Sequence, residues 1–290
     1  MKNIFRNDSN QIRSGWKIII VLFCSLIIIP FIVGMLLSPM LMIKGINPKT
    51  MQILRSVSMY IQEISMIITP IFFWKVIDKK SLTELGFPSI KNNQKNFIFG
   101  LLIGALSLTA AAAIILCTKS GTLKNSLLNP EFSLPVLNAF ILYIFVGFAE
   151  EISCRGYFLS VLKQCQNKYI PYIGSAVIFA LMHSLNPGIS FLSYINLFLF
   201  GLFLSYVVYT TNNIWFGIGL HITWNFFEGN VWGFLVSGGN NTGSIYTIKI
   251  LNSNIINGGA FGPEGGLAVT FILVLLIIII YKFVPSKKQA

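Results

Sequence analysis

The chain has 290 residues, of which 54% are hydrophobic and only 10% charged. Soluble domains carry about 25% charge, so a water-facing surface cannot be built from this composition. The formal charge of +12 would point to nucleic acid in a soluble protein, but no basic cluster interleaves with aromatics as an RNA-binding sheet requires; here the basic excess belongs to loops beside the anionic head groups of a lipid bilayer.

Apolar runs of about 20 residues are the length at which a helix crosses the hydrocarbon core. In chain order they predict spans at 15–37, 57–76, 96–117, 134–162, 169–185, 189–210, 213–232 and 265–283. The expected fold is therefore all-α, a polytopic transmembrane helix bundle of about eight spans, forming one membrane-embedded domain over 1–290. The first run follows basic residues, as in a signal sequence, but it is long and has no small-residue cleavage site, so it reads as a retained span. Span four leaves the membrane before its end, where Arg155 and Lys163 stand. Asn47-Pro48, Asn129-Pro130, Asn186-Pro187 and Asn212-Asn213 punctuate the connections. Gly100 and Gly104 form a GxxxG, the spacing of close helix contact. The Gly-rich segment 258–266 lacks the lysine and preceding strand of a phosphate loop and reads as a flexible or re-entrant loop.

With the N-terminus in the cytoplasm, fifteen lysines and arginines fall inside and six outside. That asymmetry places both termini in the cytoplasm of a multi-pass cell-membrane protein, with the 233–264 loop outside. The cysteines, Cys24, Cys117, Cys154 and Cys165, form no CxxC pair and are expected as free thiols.

Ionisable residues inside spans are costly, about 2.5–3.5 kcal/mol each at the bilayer centre, and mark function by default. The two histidines, His183 and His221, both fall in spans, while both aspartates, Asp8 and Asp78, lie outside them. Glu63 lies in span two and Glu228 near the end of span seven. Glu150 and Glu151 sit late in span four. Glu151 and Arg155 are four apart and share a helix face, so they can pair; Glu150 is rotated about 100° away and stays outside that pair. His221 and Asn225 are likewise four apart. Spans four and five join near residue 166, which brings Glu150 and His183 to similar depth in an antiparallel hairpin. A carboxylate and an imidazole can activate water, and a second imidazole with an amide can donate to a developing oxyanion. Zinc held by two histidines and one glutamate is equally compatible with this residue set.

Glu150-Glu151-x-x-x-Arg155, Phe179-x-x-x-His183 and His221-x-x-x-Asn225 resemble the three motifs of the CAAX protease and bacteriocin-processing family, also called the Abi family, which includes relatives of CAAX prenyl protease 2. The motif-bearing core is 134–232. The resemblance implies an intramembrane endopeptidase acting on a membrane-associated peptide or protein. Glu150 would be the general base assisted by His183, Glu151 and Arg155 would structure the site, and His221 and Asn225 would form the oxyanion hole. The family is described both as metallopeptidase and as metal-free, which leaves zinc open. Bacterial relatives are linked to peptide maturation and bacteriocin self-immunity, and the Lys-, Asn- and Ile-rich composition points to a bacterium. The alternative is a catalytically silent membrane protein serving as an immunity factor or sensor scaffold. No HExxH and no pair of membrane aspartates of the other intramembrane proteases is present, and Gly174-Ser175 lacks the Gly-x-Ser spacing of a rhomboid. The site cavity is expected to open toward the cytoplasm, where the basic loops put the end of span four.

Overall fold

The computed structural model describes residues 4–7, 9–41, 47–240 and 243–283. Lys2, Asp8, Lys44, Lys287 and Lys288, which enter the charge count above, lie outside them. Among the described residues ten α-helices follow in chain order: α1 Ser14–Phe23, α2 Ile29–Leu41, α3 Pro48–Phe72, α4 Gln94–Cys117, α5 Leu134–Glu150, α6 Leu159–Leu162, α7 Ile170–Met182, α8 Phe191–Thr211, α9 Trp215–Phe226 and α10 Leu267–Phe283. A π-helical stretch, Cys24–Ile28, joins α1 to α2, and another, Glu151–Phe158, joins α5 to α6.

Helical segments therefore stand at all eight predicted spans. Five are long and apolar enough to cross a membrane: Ser14–Leu36, Ile53–Ile77, Gln94–Cys117, Leu134–Cys165 and Phe191–Thr211. The apolar helices α7 and α10 are shorter. The remaining helix, α9, is buried at every position except Phe216 and Phe226. Large apolar side chains such as Ile19, Phe31, Leu106 and Phe271 are more than half exposed on the outer helix faces, the surface a lipid solvent requires.

Caps fall where the punctuation predicts. The Asn47 side chain accepts from the Thr50 backbone N–H at 2.8 Å, with Pro48 opening α3. Asn212 ends α8 in the left-handed conformation at φ 51°, a region that asparagine tolerates better than most residues. Gln166 turns the chain between α6 and α7 in the same way.

Helix association inside a bilayer depends on close backbone approach rather than on water exclusion. The GxxxG of α4 supplies that approach toward α9. A Cβ on Gly100 would lie 2.1 Å from the Phe216 carbonyl oxygen, and one on Gly104 would lie 2.3 Å from that of Leu220. Gly147 does the same for α5, where a Cβ would meet Ile222 Cγ1 at 2.7 Å. The three helices can thus sit side by side with α9 held between α4 and α5.

Two features depart from the sequence reading. Residues Thr122–Leu123 and Ile248–Lys249 pair as a short antiparallel ladder on the face where α4 ends. The Gly-rich segment is packed rather than flexible: Phe261, Pro263, Glu264 and Gly265 are buried, and Gly238 N–H donates to the Phe261 carbonyl at 2.8 Å.

Candidate active site

Glu150 closes α5, and the chain then widens into the π-helix Glu151–Phe158, with bonds five residues apart, every residue of which is buried. Such π segments displace side chains from α-helical register and occur often at functional sites. Polar groups from neighbouring helices hold this one: Ser175 Oγ donates to the Cys154 carbonyl at 2.8 Å, and Ser153 Oγ donates to the Met66 carbonyl at 2.8 Å. Glu150 lies near the middle of the 32-residue span Leu134–Cys165, which puts its carboxylate at membrane depth.

The two glutamates have different surroundings. Glu151 is fully buried. Its Oε1 is 2.9 Å from Arg155 Nη1 and 3.0 Å from His221 Nδ1. The buried Arg155 guanidinium also lies 4.2 Å from the centre of the Phe179 ring, a cation–π contact that replaces lost hydration. Glu150 is only half-buried, and its Oε2 faces His221 Nε2 at 3.7 Å. Arg155, Glu151, His221 and Glu150 thus form one polar chain across α5, its π-helical extension and α9.

The approach of Glu151 to α9 depends on a residue the sequence reading did not single out. A Cβ on Gly217 would stand 2.7 Å from Glu151 Oε2. Gly217 is one turn before His221, on the same strip of α9. In sequence it is one glycine among 24, with nothing to mark it.

His183 follows the last residue of α7. Its Nδ1 is 2.8 Å from the Phe179 carbonyl oxygen. A carbonyl only accepts, so Nδ1 carries the hydrogen and Nε2 of the neutral ring is the proton acceptor. The Phe179 ring centre lies 4.8 Å from that of His183 and 6.1 Å from that of His221. The two histidine rings therefore flank one phenylalanine, at a separation no greater than the 10.9 Å sum of those distances. Phe200 packs on His221 from α8, with ring centres 5.1 Å apart.

Glu150, His183 and Asn225 line a single cavity of about 1000 Å³. Its wall also takes in Glu63 and Tyr60 of α3 and Tyr143 of α5. Toward its mouth stand Met51 and Arg55 at the start of α3, Asn138 at the start of α5, and Asn186, Ser237 and Asn240 in loops. Asn186 Nδ2 donates to the Ser237 carbonyl at 3.0 Å and ties two of these loops together. The mouth is on the face carrying the 233–264 loop. The sequence reading expected both a cytoplasmic opening and this loop outside; the two do not hold together, because Leu134–Cys165 runs well beyond Glu150 and puts the end of the span and the site at different depths.

Among the described residues, no group of three or more histidine, cysteine, aspartate and glutamate side chains is placed to hold a metal ion. The donor set does not fit a three-ligand zinc centre, and no chemical step is derived through one.

No curated protein matches the chain. Residues 132–227 match the family model of type II CAAX prenyl endopeptidases, Rce1-like. The matched stretch, about a third of this multi-pass membrane chain, holds Glu150, Glu151, Arg155, His183, His221 and Asn225, and in that stretch the chain is similar to the type II CAAX prenyl endopeptidases.

Proposed function

We propose that the protein hydrolyses a peptide bond of a membrane-associated peptide or protein inside the bilayer, using a water activated by Glu150 and His183. One observation carries the reading: a half-buried carboxylate at membrane depth shares a cavity with the basic nitrogen of His183 and the amide of Asn225. A water between Glu150 and His183 Nε2 gives up its proton as it attacks the carbonyl carbon. Asn225 Nδ2 and, with the ring doubly protonated between Glu151 and Glu150, His221 Nε2 are the candidate donors to the resulting oxyanion, and one such donor contributes about 10²–10³ in kcat. Glu151 holds His221 by its Nδ1, and Arg155 holds Glu151.

The outward face of the cavity, under an arrangement with both termini cytoplasmic, fits a peptide that is being exported or that arrives from outside. This favours peptide maturation or bacteriocin self-immunity. The test compares secreted and membrane peptides of cells carrying wild-type protein, Glu150→Gln or no protein. The reading requires cleavage products present only with the wild type. Identical peptide profiles in the three strains, with a phenotype that survives Glu150→Gln, would instead establish the silent immunity or scaffold protein.

A further inference from the structure

The cavity holds a second carboxylate that the motifs do not include. Arg55, Met59 and Glu63 all line it. They are four residues apart, so one face of α3 is turned to the cavity, and Glu63 lies about 12 Å deeper than Arg55. Glu63 Oε2 is buried with no hydrogen-bond partner, and among the described residues no cation pairs with its carboxylate. Its charge would interact with that of Glu150. Leaving an ionised carboxylate at this depth without a partner is costly.

Two carboxyl groups that share a water-poor site do not both ionise. Their surroundings decide which one holds the proton. Glu150 faces His221, backed by Glu151 and Arg155. Glu63 lines the same cavity with no histidine, lysine or arginine paired to it among the described residues. The proton therefore belongs on Glu63 and the negative charge on Glu150.

We propose that Glu63 is the general acid of the site, delivering a proton to the amine that leaves when the peptide bond breaks. This rests on the peptidase reading above. A bond forms between the water oxygen and the carbonyl carbon while a water proton passes to Glu150. The carbon–nitrogen bond then breaks as Glu63 gives its proton to nitrogen. Transfer of the proton from Glu150 to Glu63 restores both groups. One water and one amide are consumed; one carboxylic acid and one amine are produced. Amines are expelled from tetrahedral intermediates only after protonation, which is why an amide-cleaving site with a base also needs an acid.

The test uses a peptide cut in the Glu150-dependent comparison and its thioester analogue, with sulfur in place of the scissile nitrogen. A thiolate leaves without a proton, so the thioester does not need the acid. In purified Glu63→Gln, amide cleavage should fall about 10²–10⁴-fold, while thioester cleavage stays within a few-fold of wild type. Retained thioester turnover also shows that the variant is folded. Infrared spectra of the free protein should show the carbonyl stretch of a protonated carboxylic acid that disappears in Glu63→Gln and persists in Glu150→Gln. Wild-type amide rates in Glu63→Gln would overturn the proposal. So would equal loss of amide and thioester cleavage in a variant with wild-type thermal stability. A wild type whose cleavage is unaffected by Glu150→Gln refutes the peptidase reading itself.

Discussion

Gly217→Ala changes one atom in the middle of the site and has a calculable effect. The new Cβ would stand 2.7 Å from Glu151 Oε2 and 3.4 Å from its carboxyl carbon. An ordinary contact begins near 3.4 Å, so the carboxylate oxygen must retreat by about 0.7 Å or α9 must move away. On an exposed surface a glutamate would simply swing aside. Here the side chain is fully buried and held between Arg155 at 2.9 Å and His221 at 3.0 Å. Overpacking of this kind costs about 1–3 kcal/mol, and a displaced charge-assisted hydrogen bond adds a similar amount. His221 Nε2 shifts with its Nδ1 anchor, and misplacing a reacting group by about 1 Å lowers rates on the order of 10²-fold. The expected outcome is a destabilised protein with kcat reduced about 10-fold to 100-fold, measured as thermal unfolding in detergent and cleavage of a Glu150-dependent peptide. The serine variant should behave like alanine, since each adds a Cβ. If Gly217→Ala keeps wild-type unfolding temperature and kcat, the Glu151–His221 contact is not what positions the site.

Arg155→Leu leaves Glu151 buried without its cation and should destabilise the protein by about 3–5 kcal/mol; thermal unfolding reads this, and a change under 1 kcal/mol would mean that His221 alone compensates Glu151. Arg155→Lys should recover only part of the loss, because an ammonium cannot cover the Phe179 ring as the planar guanidinium does. In a cysteine-free background, Ser244→Cys should react with an impermeant thiol reagent in intact cells, and Lys91→Cys should react only after the membrane is opened. The reverse pattern would place the cavity mouth in the cytoplasm and exclude a substrate arriving from outside.

Much of this protein was legible without coordinates. Low charge and eight long apolar runs determine a helical bundle, because a backbone in hydrocarbon must satisfy its own hydrogen bonds. Helical spacing paired Glu151 with Arg155 and separated Glu150 from them, since positions four apart share a face whatever the rest of the chain does. The small residues of α4 announced a close contact, though not that its partner would be α9.

The cavity was decided only by the tertiary structure. Its direction depended on how far a span continues past Glu150, and composition sets the end of a span too loosely to fix depth. Glu63 stood in the sequence as a costly residue in a span, but its nearness to Glu150 arises from α3 packing against α5, a contact between segments some ninety residues apart. Gly217 was invisible for the same reason. Sequence spacing reports which residues of one helix share a face; which helix that face meets, and how closely, is set by packing that no single segment encodes.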